Sequence, residues 1–138
     1  MKSLYSILLL ETVLGSPDTW ENTLKDAGKL NNLMMGAALN LSNPDTQYKE
    51  IFTREYDVCT AESACKWHQI RPTESQFLLD DCVNHLKFAH ENGMKFRGHN
   101  LVWGVYNPSW LANWTGSSSE LEQVLKKHIT YVVQNVPK

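Results

Sequence analysis

Apolar and polar positions fall in blocks whose period changes from helical to extended and back. Trp20, Leu24, Ala27 and Leu30 recur at helical spacing after Asp18, and Glu21 stands three positions beyond that Asp, the pattern of a capping box. Residues 33–39, Leu-Met-Met-Gly-Ala-Ala-Leu, form an unbroken apolar run between Asn31-Asn32 and Asn40 with Pro44, which predicts a central parallel strand buried on both faces. Asp45 opens a second helical stretch through Tyr48, Ile51 and Phe52, and residues 56–60 read as another short strand. Phe77, Leu78, Cys82, Leu86 and Ala89 return to the helical period and stop at Asn92-Gly93, the expected C-terminal cap. Residues 95–103 predict a strand running into a loop rich in Trp, Pro, Asn and Gly that lasts to Gly116. Ser119 with Glu122 predicts a second capping box, opening a last amphipathic helix along Leu121, Val124, Leu125, His128, Ile129, Val132 and Val136.

Helix, strand, helix, strand, helix, strand, helix is the alternation of a parallel sheet with crossover helices, so the fold class is α/β. Gly36 stands alone, with no G-x-G-x-x-G and no P-loop, which favours a barrel winding over a doubly wound sheet. In such barrels the chemistry gathers where strands end, which directs attention to the residues after Thr60 and after Gly98. The chain has 138 residues, 42% of them hydrophobic and 20% charged, enough for one globular core at most. A formal net charge of −2 leaves no basic surplus for neutralising phosphates, so a nucleic-acid partner is not expected. No run reaches the ~18 apolar residues of a transmembrane helix, so no membrane partner is expected either.

Residues 1–16 have Lys2, then Leu4, Tyr5 and residues 7–10 as an apolar stretch, with Gly15 and Ser16 as small residues at a cleavage point. This predicts a signal peptide and a secreted protein, although Glu11 weakens the apolar stretch. Asn40-Leu41-Ser42 and Asn113-Trp114-Thr115 both fit the N-glycosylation pattern, consistent with export. Cys59, Cys65 and Cys82 are three, so one thiol stays free or pairs outside the chain, and an odd count also fits a chain cut short.

Two clusters follow the second and third predicted strands: residues 60–67, Thr-Ala-Glu-Ser-Ala-Cys-Lys-Trp, and residues 97–103, Arg-Gly-His-Asn-Leu-Val-Trp, followed by Asn107-Pro108-Ser109-Trp110. Together they resemble glycoside hydrolase family 10, the endo-1,4-β-xylanases, which carry Thr-Pro-Glu-Asn-x-x-Lys-Trp and Arg-Gly-His-Thr-Leu-Val-Trp at these strand ends. Residues 77–93 resemble the family's second helix with its closing Asn-Gly, so residues 33–138 align with the first three βα units of a (β/α)8 barrel and residues 17–138 form a truncated catalytic domain. The resemblance implies retaining hydrolysis of internal β-1,4 links in xylan through a covalent glycosyl-enzyme. That mechanism needs two carboxylates about 5 to 5.5 Å apart. In the family the acid/base Glu ends strand four, in Trp-Asp-x-x-Asn-Glu, and the nucleophile ends strand seven. Both would lie beyond Lys138, so this chain alone is expected to be inactive. A barrel usually needs about 250 residues, and a sheet of three strands keeps an unpaired edge, so the chain is expected to aggregate or to need the rest of a barrel.

The resemblance assigns substrate-binding roles residue by residue. Glu62 and Lys66 match residues that hydrogen-bond sugar hydroxyls, and His99 and Trp103 match residues beside the sugar at the cleavage point. Ser63 stands where the family usually has Asn, Gly104 where it has His and Tyr106 where it has Gln, departures that bear on which β-1,4-glycan is bound. Each residue also has a plain structural reading. Glu62 and Lys66, four apart, would be an ordinary ion pair if their segment were helical. His99 could be a core histidine, and Trp67, Trp103 and Trp110 packing groups beside loops. Asp80 and Asp81 read as stabilisers of a helix N-terminus and His128 as a packing residue on the last helix. Cys59, Cys65, His68, His85 and His90 show no paired metal-ligand spacing beyond a lone Cys65-x-x-His68, so neither metal nor cofactor is expected. Besides a fragment of a xylanase, the pattern admits a non-catalytic β-glycan-binding protein that keeps part of the sugar cleft.

Overall fold

The computed structural model describes residues 23–137. The signal segment of residues 1–16 and the capping box of Asp18 with Glu21 lie outside the described residues. Thr23 caps α1 (Leu24–Lys29), its side-chain oxygen accepting from the Asp26 N–H. There follow β1 (Gly36–Leu39), α2 (Thr46–Glu55), β2 (Val58–Ala61), α3 (Trp67–Ile70), α4 (Asp80–Glu91), β3 (Lys95–Arg97), α5 (Ser109–Ala112) and α6 (Ser118–Asn135). The three strands form one parallel sheet in the order β1-β2-β3, the α/β architecture expected from the alternation of elements.

The register sorts the side chains by face. Rows Ala37–Cys59–Phe96 and Leu39–Ala61 look to one side, while Gly36–Val58–Lys95 and Ala38–Thr60–Arg97 look to the other. The first face carries the core. Leu39 and Cys59 pack with Phe52 of α2, Ala89 of α4 and Met94, while Ala61 packs with Cys65, Ile70, Cys82 and Val132 of α6. The second face is open: Gly36, Ala38, Lys95 and Arg97 are exposed. β1 is therefore not buried on both faces as its apolar run suggests, because no layer among the described residues covers its second side.

Several boundaries move for identifiable reasons. β2 begins at Val58 rather than Tyr56, because Tyr56 caps α2 by donating to the Phe52 carbonyl and Asp57 turns its N–H onto the Met35 carbonyl. The capping box of α6 is Ser117 with Glu120, two residues earlier than Ser119 with Glu122. Three consecutive serines satisfy the pattern in either register, and the earlier one lengthens the helix and frees Glu122 to pair with Lys126 at 3.2 Å. α5 lies in the stretch read as loop, and α3 where no element was predicted; each has only four residues, too few to show a period. Asp80 and Asp81 fall in the first turn of α4, where carboxylates suit the helix dipole, and Gly93 ends that helix at φ 65°, a backbone state that favours glycine.

Cys65 and Cys82 form a disulfide, tying the segment after β2 to the first turn of α4 with Cα atoms 4.8 Å apart. Cys65 is thus unavailable as a metal ligand beside His68. Cys59, free and buried under the sheet, has its thiol pushed up to about 11 by burial, so it stays protonated and behaves as a small apolar side chain.

Candidate functional site

The open face of the sheet and the segments leaving its C-terminal edge enclose the site. Glu62 directly follows β2, and its backbone N–H donates to the Leu39 carbonyl at 3.0 Å, which extends the β1–β2 ladder by one bond and fixes where the carboxylate leaves the sheet. The chain then turns sharply, with the Lys66 N–H on the Ser63 carbonyl at 2.9 Å, and Cys65 is locked to α4. Lys66 is the N-cap residue of α3 and makes no side-chain capping bond. His99 lies two residues beyond β3, at a cis peptide bond to Asn100.

Glu62, Lys66 and His99 border one open cavity of about 610 Å³ above Ala38, Thr60 and Arg97. The segment joining Glu62 to Lys66 is not helical, and no ion pair joins the two among the described residues, which leaves both charged groups available to a ligand. Ser63 turns instead into a smaller adjoining cavity of about 130 Å³, shared with Glu62, Asn40, Asp81 and His85. Trp103, 40% exposed, lies 5.8 Å from the His99 ring and has the Lys66 ammonium 5.5 Å from its ring centre. The structure thus gathers Glu62, Lys66, His99 and Trp103, with Ser63 next to them on the far side of Glu62.

Three residues join the site beyond those to which the resemblance gives a substrate-binding role. Tyr106 places its ring 4.8 Å under the Lys66 ammonium and 5.5 Å from Trp103. Asn40, at the end of β1, lines the small cavity, so a glycan there would compete with a sugar ligand for the same space. His85 is buried and bridges two elements: Nδ1 donates to the Asp81 carbonyl at 2.7 Å, which leaves Nε2 to accept from the Leu41 N–H at 3.2 Å. Its inward position was signalled by its place three after Cys82 and four before Ala89 on the buried face of α4.

Behind the site lies a buried stack. Trp67, 3% exposed, lies flat on His128 at 3.9 Å with 4° between the rings and meets Trp110 edge-on. Trp67 and His128 are therefore packing groups. Burial, and after it the nearby Arg71 guanidinium, push His128 down to about 4, opposed in part by the Leu101 backbone; neither ring nitrogen has a well-directed hydrogen bond, so the ring is neutral. Arg71, 1% exposed, is held by the Glu74 and Val124 carbonyls, and its guanidinium lies 4.8 Å from the ring centres of both Phe77 and Trp110. This stack gives the segment carrying Lys66 a rigid backing.

Acid, amine, imidazole and indole groups around an open cavity at the C-terminal ends of parallel strands are the layout of a site on a β/α barrel. Comparison with known proteins narrows this class. The model of Glycosyl hydrolase family 10 matches residues 23–138. Endo-1,4-beta-xylanase 1 of Gibberella zeae is 36% identical over 80% of this chain and 30% of its own length. Endo-1,4-beta-xylanase B of Thermotoga neapolitana is 34% identical over 98% of this chain and 40% of its own length. Among solved structures, native xylanase 10B from Thermotoga maritima superposes with a TM-score of 0.73 at 32% identity, covering 81% of this chain and 36% of that one. Xylanase 10B from Thermotoga petrophila, in complex with xylobiose, also gives 0.73, at 29% identity over 86% of this chain and 37% of that one. The chain belongs to Glycosyl hydrolase family 10. It spans 30% and 40% of the length of the two curated xylanases named above.

Proposed function

We propose that residues 33–138 supply the first three βα units of an endo-1,4-β-xylanase barrel and that Glu62, Ser63, Lys66, His99 and Trp103 bind the xylan chain on the glycone side of the cleavage point. The observation that carries this reading is the convergence of Glu62, Lys66 and His99 on one cavity, with Trp103 against both Lys66 and His99. A carboxylate and an ammonium, neither tied to the other, can each make a charge-assisted hydrogen bond to a sugar hydroxyl, and an exposed indole gives the ring an apolar wall. The chemistry proposed for the full barrel is retaining hydrolysis, with the acid/base and nucleophile supplied by later strands. A polypeptide of these 138 residues then binds xylo-oligosaccharide without cleaving it, and its open strand edge makes it prone to self-associate. Secretion fits the same reading, since the Cys65–Cys82 disulfide suits an oxidising compartment.

Titration of the 138-residue chain with xylotriose, followed by tryptophan fluorescence, tests this reading. A saturable change is expected, absent in Trp103→Ala and weakened about tenfold or more in Glu62→Ala, the usual effect of losing a hydrogen bond to a charged group. A wild-type signal that xylotriose does not alter would refute the reading. Turnover of soluble xylan by the chain would overturn its assignment as a binding part only.

A further inference from the structure

Lys66 carries an ammonium with no ion pair and no hydrogen bond among the described residues, yet it is half-buried. Its neighbours are π faces: Tyr106 at 4.8 Å and Trp103 at 5.5 Å from ring centre to nitrogen. The two rings lie 5.5 Å apart at 31°, and the His68 ring lies 5.7 Å from that of Tyr106. Tyr106 is 58% exposed and sits at φ 57°, a left-handed conformation that a tyrosine adopts only at a cost. Exposed aromatic residues do not persist in that state without a local reason, and the reason visible here is the ring's place beneath the ammonium. Loop geometry, ring contacts and an unpaired cation therefore converge on one arrangement.

We infer that Tyr106, together with Trp103, clamps the Lys66 ammonium and acts as a positioning residue that sets carbohydrate affinity through Lys66. The inference rests on the carbohydrate reading above and deepens it. A lysine side chain has four rotatable bonds, and fixing it at the moment of binding opposes association. Two aromatic faces fix it beforehand without consuming a hydrogen bond, because a ring attracts the cation through its quadrupole and accepts no directed N–H bond that a sugar hydroxyl would have to displace. All three ammonium protons remain for the ligand. A carboxylate partner would hold the lysine as firmly but would occupy the same donors.

The test has two readouts on the full 138-residue chain. In the first, free of sugar, proton NMR of the Lys66 ε-methylene is expected to show upfield ring-current shifts that fall in Tyr106→Ala and persist in Tyr106→Phe. In the second, xylotriose affinity is measured for wild type, Tyr106→Ala, Tyr106→Phe, Lys66→Met and the Tyr106→Ala/Lys66→Met pair. Tyr106→Ala is expected to weaken binding on the order of two- to fivefold, Tyr106→Phe to restore it, and Tyr106→Ala to have no effect once Lys66 is Met. Equal losses from Tyr106→Ala with and without Lys66 would overturn the inference, since Tyr106 would then act on its own. An unshifted ε-methylene in wild type would overturn it whatever the sugar data show. A shifted methylene in a chain that binds no xylotriose supports the clamp and refutes the carbohydrate reading instead.

Discussion

His128 makes the fold sensitive to acid in a way that can be worked out from its surroundings. The ring is fully buried, stacked on Trp67, near the Arg71 guanidinium and without a directed hydrogen bond on either nitrogen. Its proton affinity falls from 6.5 to about 4, so the folded chain keeps the ring neutral in a range where the unfolded chain protonates it. The unfolded state binds more protons there, so stability is fully present above pH ~6.5 and is lost as pH falls through ~4. At about 1.4 kcal/mol per tenfold change in proton affinity, the full loss is roughly 3 kcal/mol. An imidazolium lying flat on Trp67 would recover part of this through cation–π attraction, about 0.5–2 kcal/mol, but the neighbouring guanidinium opposes it. Burial and like charge win. The perturbation is His128→Phe, which keeps a flat ring on Trp67 and removes the titration. Urea unfolding at pH 7.0, 5.5 and 4.5, read by tryptophan fluorescence, should show wild type losing about 2 kcal/mol more than the variant across that range. All other titrating groups are shared, so they cancel in the comparison. Parallel pH profiles for the two proteins would refute the reasoning.

Two further outcomes follow from the covalent and capping features. Replacing Cys65 and Cys82 together by Ser should cost about 3 kcal/mol, since the bridge closes a loop with a sequence separation of 17, and a urea midpoint insensitive to the change would show that the unfolded chain is not restrained by it. Ser117→Ala should cost about 1 kcal/mol by stripping the capping box from α6, whereas Ser119→Ala should be close to neutral; the reverse order would restore the later helix start.

The sequence makes the class of fold legible because the strands are short and flanked by strong breakers: Asn40 and Pro44 after β1, Asn92-Gly93 before β3. It misleads where a pattern has two solutions. The run of residues 33–39 looks the same whether one face or both are covered, and three serines offer two capping registers. Pairing of Cys65 with Cys82 was open, since three cysteines allow any of their pairs and only the fold brings these two within bonding distance. That Glu62, Lys66, His99 and Trp103 come together was legible because short motifs carry them. The Lys66–Tyr106 contact was not: it joins loops after different strands and depends on a left-handed backbone at Tyr106 that no local residue preference announces.

The order β1-β2-β3 has a kinetic consequence. Every strand pairs with the one made just before it, so β1–β2 closes over α2 alone and β2–β3 over α3 and α4, and neither pairing waits for the chain beyond β3. Closure cost rises only slowly with loop length, which favours stepwise growth of the sheet from its N-terminal side. As the chain leaves the ribosome, β1 and β2 can pair before β3 has emerged, and β2 then offers β3 a ready edge. Assembly in this order can tie the segment after β2 to α4 early, because the disulfide partner on α4 arrives before β3 does.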